Sequence, residues 1–135
     1  LASIIADHDV PYVGQTTMIG NFSDLHKKAE KAIYTEGAAF LNIMTPCPRG
    51  WRYDTADIMK ICKLAVETCY WPMFEVEHGK WRLTYEPKKK LPIEDFLREQ
   101  GRFKHLFKPG NEDLIAQFQD EVDRRWEELQ YKCAR

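Results

Sequence analysis

At 135 residues, with 44% hydrophobic and 13% aromatic side chains, the chain is long enough for one compact core and too apolar to stay disordered. Twenty Lys and Arg against 21 Asp and Glu leave a net charge of −1, without the basic surplus of a phosphate-backbone binder, so no nucleic-acid partner is expected. No apolar run approaches the roughly 20 residues of a membrane-spanning helix, and no basic segment followed by an apolar one opens the chain, so a soluble, cytoplasmic protein with no membrane partner is expected.

The chain opens on Leu1 without an initiator Met, as expected of a piece processed or cut from something longer. Leu1 to His8 has the apolar spacing of a helix tail, and Pro11 to Met18, "PYVGQTTM", reads as a strand running into a polar loop. Asn21 or Ser23 is placed to cap a helix whose apolar face is Leu25, Ala29, Ala32 and Ile33, with Gly37 as its stop. "AAFLNIMT" then forms a near-continuous apolar run of strand length, of the fully buried kind. Strand, helix and strand together predict a βαβ unit in a parallel sheet.

Beyond Trp51 the pattern changes. Asp54 or Thr55 is placed to cap a helix carrying Ile58, Ile61, Cys62, Ala65, Val66 and Cys69 on one stripe. After "YWP", the segment "MFEVEHGKWRLTY" alternates Phe74 and Val76 against Trp81, Leu83 and Tyr85 around His78-Gly79, which predicts a β-hairpin. Pro92 opens a short helix with Phe96 and Leu97 facing inward and Gly101 ending it. Asn111 then caps a long helix with Ile115, Phe118, Val122, Trp126 and Leu129 at spacings of 3 or 4.

The four cysteines, Cys47, Cys62, Cys69 and Cys133, include no C-x-x-C pair, and a chain this apolar does not need disulfide staples. Cys62 and Cys69 belong to a helix stripe and read as core. Cys133 falls in a C-terminal tail of expected mobility. The histidines His8, His26, His78 and His105 are scattered singly, without the spacing of a metal-ligand pair. The run Lys88 to Lys90 reads as a solvated edge, with steering of an acidic carrier protein as its functional alternative.

Cys47 stands apart. It lies between Pro46 and Pro48 just past the carboxyl end of the second predicted strand, where open α/β sheets place their ligands. Two prolines fix φ and delete two backbone donors beside the sulfur, while Gly50 and Trp51 follow as a turn and a cover. Three readings stay open on these residues: a stiff turn that includes a buried Cys, a nucleophile lacking an evident base, and a ligand of an iron–sulfur cluster, in which a Cys-Pro step is familiar.

The runs "DHDVPYVGQTT", "EGAAFLNIMTPCPRGWRYD" and "LAVETCYWPMFEVEHGKWRLTYEPKKKLPIEDFLREQGRFKHL" closely resemble the carboxyl-terminal part of the thiamine-diphosphate-binding β subunit of the pyruvate:ferredoxin and related 2-oxoacid:ferredoxin oxidoreductases. P-C-x-x-G-W, A-V-E-x-x-x-W-P-x-[FY]-E-V and Q-G-R-F-K-H-L occur together and in order. The resemblance implies an enzyme of anaerobic metabolism that decarboxylates a 2-oxoacid, pyruvate first among them. It couples the acyl group to coenzyme A and passes electrons through [4Fe–4S] clusters to ferredoxin, in a complex with other subunits or domains.

It also implies that Cys47, by its place in P-C-x-x-G-W, is the last ligand of the cluster nearest the thiamine. The family's other three ligands, and the Gly-Asp-Gly and Asn elements that hold Mg²⁺ and the diphosphate, precede this region and have no counterpart here. The expected fold is α/β: a partial parallel βαβ layer of a thiamine-diphosphate-binding domain (1–50), then the C-terminal extension of the β subunit (51–135), made of a helix, a β-hairpin and C-terminal helices. No catalytic residue is expected in this stretch, and Cys47 is its sole cofactor and metal residue. The opposing expectation is a non-catalytic subunit-interaction module with Cys47 as a buried structural thiol.

Overall fold

The computed structural model describes residues 1–19 and 22–135. Among them the elements run α1 (Ala2–Ala6), β1 (Tyr12–Thr17), α2 (Ser23–Tyr34), β2 (Ala39–Met44), α3 (Pro48–Trp51), α4 (Ile58–Glu67), β3 (Phe74–Glu77), β4 (Lys80–Leu83), α5 (Ile93–Arg98) and α6 (Glu112–Cys133). A 3-10 turn, Thr55–Asp57, leads into α4, and a second, Gly101–Phe107, follows α5. No helix among the described residues is long and apolar enough to cross a membrane.

The strands form one sheet in the order β2-β1-β3-β4. β1 and β2 are parallel across α2, as a βαβ unit requires, with Tyr12 opposite Ala39 and Thr17 opposite Met44. β3 then joins β1 antiparallel, Val13 opposite Val76, so the hairpin extends the parallel pair into a mixed sheet. Its turn needs positive φ twice, 48° at His78 and 77° at Gly79, which matches the right-handed twist of the flanking strands.

Every residue of β1 is buried, because it is central and covered on both faces. Successive side chains point to opposite faces. Val13, with Phe74, Val76 and Met44, enters the main core together with Ala2 and Ala6 of α1, Ile61 and Ala65 of α4, Ile93, Phe96 and Leu97 of α5, and Val122, Trp126 and Leu129 of α6. Ile61, Phe96 and Leu97 have no exposure at all, and each such side chain contributes about 1.5–3 kcal/mol.

The other face, beneath α2, is held by charge. Lys28 is 1% exposed, and its Nζ donates to Gln15 O, Asp24 Oδ2 and Thr84 Oγ1, each at 2.7 Å. Glu75, also buried, accepts from Tyr12 Oη at 2.9 Å, from Lys31 Nζ at 2.8 Å and from the Arg82 guanidinium. Burial pushes the Glu75 carboxyl up, but these three donors together outweigh it and leave the pKa below its ordinary value.

This face corrects the reading of α2. The residue it buries is Lys28, while Ile33 on the expected apolar stripe is 76% exposed, because the helix turns its Asp24–Lys28 edge to the sheet. Asn21 lies outside the described residues. Ser23 begins the helix rather than capping it, and Phe22 takes the cap position with no side-chain bond. The helix ends at Tyr34, where Thr35 Oγ1 donates back to Lys31 O at 2.7 Å, ahead of Gly37.

β2 is likewise not fully buried: it is the sheet's edge here, and Ile43 is 40% exposed. Asn111 does not cap α6 with its side chain; its Nδ2 donates instead to His105 O at 2.7 Å. Cys133 is no loose tail, since it closes the last turn of α6 and packs, half-buried, against the core. Gly101 does not end α5, which stops at Arg98, but begins the second 3-10 turn. Of the expected α4 stripe, Ile61, Cys62, Ala65 and Val66 are buried on the helix, but the helix ends at Glu67 and Cys69, though buried, lies beyond it in the left-handed region (φ 59°); Asp54 Oδ1 accepts from Ala56 N at 2.9 Å in the 3-10 turn before α4. In the lysine run, Lys90 pairs with Asp123 of α6.

Candidate functional site: the Cys47 turn

β1 and β2 end side by side, and their carboxyl ends are tied together by Thr17 Oγ1, which donates to Met44 O at 2.7 Å and lies 3.5 Å from Cys62 Sγ. The chain leaves β2 through Thr45 and Pro46 to Cys47, which caps the single helical turn α3. Cys-Pro therefore acts as an N-cap followed by proline at N1, a start whose missing N–H costs nothing. The Gly50 N–H donates to Cys47 Sγ at 3.4 Å, and the Trp51 N–H to Cys47 O at 2.9 Å.

The turn is braced from the C-terminal side of the chain. Tyr53 Oη donates to Pro46 O at 3.2 Å, and its own N–H reaches Pro48 O at 3.2 Å. Burial first, and the nearby Cys62 and Cys47 thiols second, push the Tyr53 pKa up. The Trp51 ring meets Phe96 edge-on, with centroids 6.3 Å apart, and lies 3.8 Å from the Arg102 guanidinium. Arg52 adopts the left-handed region (φ 59°), and its carbonyl accepts from Gly101 N–H at 2.9 Å. A Cβ on Gly101 would stand 2.8 Å from Arg52 Cβ and 3.0 Å from its carbonyl oxygen, so this close approach requires glycine.

Cys47 is exposed in this stretch, which corrects the expectation that Trp51 covers it: that ring is spent on Phe96 and Arg102. The other thiols are withdrawn. Cys62 and Cys69 are buried and Cys133 half-buried. Burial raises all three, opposed at Cys62 by hydrogen bonds, and carries Cys69 up to about 11.

Among the described residues no group of three or more His, Cys, Asp or Glu could hold a metal ion, so this stretch offers a single thiol and no enclosed donor set. That thiol fits one corner of a cluster: exposed, outside any disulfide, stiffly held and already given an N–H donor, a contact that tunes ligating sulfurs. Among the described residues no such donor group answers to Mg²⁺.

No family model matches the chain. Curated relatives do. Over 96% of its length it is 41% identical to the pyruvate synthase subunit PorB of Thermotoga maritima, and over 91% it is 43% identical to that of Methanosarcina barkeri. The chain belongs to the β subunits of the 2-oxoacid:ferredoxin oxidoreductase family. A further relative, the ketoisovalerate oxidoreductase subunit VorB of Pyrococcus furiosus, is 41% identical over 93% of the chain. The chain spans about 40% of the length of these curated relatives, 40% of the Thermotoga protein and 42% of the Methanosarcina one.

Three parts of this site lie beyond the sequence reading, and one of them had a local signal. The Cys-Pro step carries the signature of a helix start and was the signal for the cap. Tyr53 and Arg102 have no local signal, since each reaches the turn through space, although Arg102 lies inside the Q-G-R-F-K-H-L run.

Proposed function

We propose that this chain is the portion of a 2-oxoacid:ferredoxin oxidoreductase β subunit that supplies the last thiolate to its [4Fe–4S] cluster, through Cys47. One observation carries the reading: the one exposed thiol among the described residues caps a braced turn at the carboxyl end of the parallel strands, with the Gly50 N–H on its sulfur. Cys47 binds iron as the thiolate. Gly50 donates to that sulfur, Tyr53 holds the Pro46 carbonyl, and Trp51 anchors the turn to the core. The three remaining thiolates, and the groups holding thiamine diphosphate and Mg²⁺, come from segments outside these 135 residues.

Within the whole cytoplasmic complex, a 2-oxoacid such as pyruvate is oxidatively decarboxylated to its acyl-coenzyme A, and ferredoxin takes up the electrons. When bound, the cluster supplies a one-electron acceptor beside the thiamine. Residues 1–50 are the end of the cofactor-binding domain and 51–135 the extension that buttresses it. No residue of the chain acts as acid, base or nucleophile on the substrate.

The test is Cys47→Ala in the intact complex, read by iron content, EPR of the reduced protein and ferredoxin-linked turnover. The expected result is a cluster a ligand short, turnover reduced by orders of magnitude, and 2-oxoacid binding retained. Cys47→Ser, with its harder oxygen donor, should keep part of the cluster at a shifted potential. Full iron with wild-type turnover in Cys47→Ala would refute the reading and return the chain to an interaction module.

A further inference from the structure

We propose that the groove between α6 and the sheet seats the β-subunit segment that leads into Leu1, laid along it as extended chain. The proposal rests on the chain being the carboxyl-terminal part of its subunit, and not on iron at Cys47. The groove has a volume of about 660 Å³ and is walled by Leu1, Trp71, Phe74, Trp81, Leu114 and Phe118. It lies on the sheet face opposite α2, because Gln15 in its floor follows Val13 by two positions along β1 and shares its side. Part of its apolar wall is uncovered: Leu1 is 71% exposed on one side and Leu114 44% exposed on α6.

The dimensions fit an extended chain. Leu114 and Lys132 mark the ends of the wall on α6, a span of about 27 Å at the rise of an α-helix. A helix with its side chains is about 10–12 Å across, and over that span it would fill about three times the volume of the groove. Extended chain rises about 3.3 Å per residue, so about eight residues reach from end to end. Their backbone N–H and C=O groups need partners once buried, and the floor offers side-chain amides. Gln15 Nε2 donates to Pro72 O at 3.0 Å and Asn42 Nδ2 to Gln15 Oε1 at 3.1 Å, which uses one hydrogen of each amide and leaves the second to meet such a backbone. The charges of the wall are already matched. Arg125 pairs with Glu121 at 2.6 Å, and Lys132 lies 3.5 Å from Glu128 and 4.7 Å from the centre of the Trp81 ring. A small charged ligand finds no unspent charge there, whereas apolar side chains on alternate positions of a segment meet Trp81, Phe118 and Leu114. Continuity selects the occupant, since Leu1 is itself part of the wall. Residues joined to it are held at the mouth of the groove at the roughly millimolar effective concentration of a short tether, an advantage that no separate subunit or free ligand has.

The experiment uses the intact complex with p-benzoylphenylalanine in place of Leu114, irradiated and mapped by mass spectrometry. Alongside it, Leu114→Cys is labelled with a maleimide in the native and the urea-unfolded protein. The expected adduct lies within the same subunit, on the roughly eight residues ahead of Leu1. The native fold should slow labelling about tenfold or more, because access limits a thiol's reaction. An adduct to another subunit or to a remote part of this one overturns the proposal, as does the absence of any adduct. Slowing of less than about tenfold leaves the groove open to a free ligand and overturns it as well. Tyr131, 60% exposed on α6 outside the groove, carries the same cross-linker as a control. Capture of the same peptide from position 131 would show collision rather than docking, and that too overturns the proposal. Iron content of Cys47→Ala is measured on the same complex: full iron there refutes the ligand reading and leaves the groove to be decided by the cross-link.

Discussion

Lys28→Met tests whether charge, rather than apolar burial, fastens α2 to the sheet. Methionine keeps the unbranched length of the side chain and deletes three donors, leaving Gln15 O, Asp24 Oδ2 and Thr84 Oγ1 without their 2.7 Å partner. Breaking a buried pair costs about 3–5 kcal/mol. Asp24 is 17% exposed and keeps the Thr16 hydroxyl at 2.6 Å, which puts the loss near the low end, about 3 kcal/mol. With an unfolding entropy of about 2.1 cal/mol/K per residue, that loss lowers Tm by roughly 10 °C for a chain of this size. Urea unfolding and thermal melts followed by circular dichroism give both numbers. The double variant Asp24→Asn with Lys28→Met removes the stranded charge and should recover about 1–2 kcal/mol, because an apolar or neutral replacement of both partners is tolerated far better than half a pair. A Lys28→Met stability within about 0.5 kcal/mol of wild type, or a double variant costing the sum of the singles, would show that the network carries no net stability.

Two further outcomes follow from the same structure. Gly101→Ala forces its new Cβ against the Arg52 backbone and should cost about 1–3 kcal/mol, as overpacking does, while shifting the environment of Trp51; unchanged stability with unchanged tryptophan fluorescence would refute the close approach. Alkylation in the absence of bound iron should mark Cys47 well ahead of Cys62 and Cys69, and stability should fall as pH rises from the ordinary cysteine value of 9.0 toward about 11, where the native state of Cys69 holds a proton that the unfolded chain has released; fast labelling of Cys62, or a flat profile in that window, contradicts the burial assigned to them.

The parts legible in the sequence are those decided locally. The α4 stripe, the His78-Gly79 hairpin and the inward Phe96 and Leu97 each follow from periodicity or turn chemistry acting over a few residues. Periodicity misreads the α2 face because it ranks Lys28 as a surface residue, and only the strands beneath it, which bring Gln15 O and Thr84 into reach, make its burial favourable. The apolar run of β2 suggests a central strand, yet neighbours in space decide exposure, and in this sheet β2 has β1 alone. The prolines single out Cys47, while its exposure depends on where Trp51 turns, which is set by Phe96 and Arg102 some fifty residues further on.

That separation explains the division of labour along the chain. The strands that aim Cys47 lie before it, and they end there, so nothing in β1 or β2 limits where the sulfur goes beyond Met44. The contacts that brace the turn come from after it: Tyr53 on the Pro46 carbonyl, Phe96 against Trp51, Gly101 under Arg52, Arg102 over the indole. A side chain carried on a loop must hold its position without help from a strand ladder. The hairpin, α5 and the second 3-10 turn serve that need by packing as one core with α4 and then presenting aromatic and guanidinium planes to the turn. The C-terminal half thus fixes the turn that carries one sulfur atom, and α6, through Val122, Trp126 and Leu129, packs in the same core as α5.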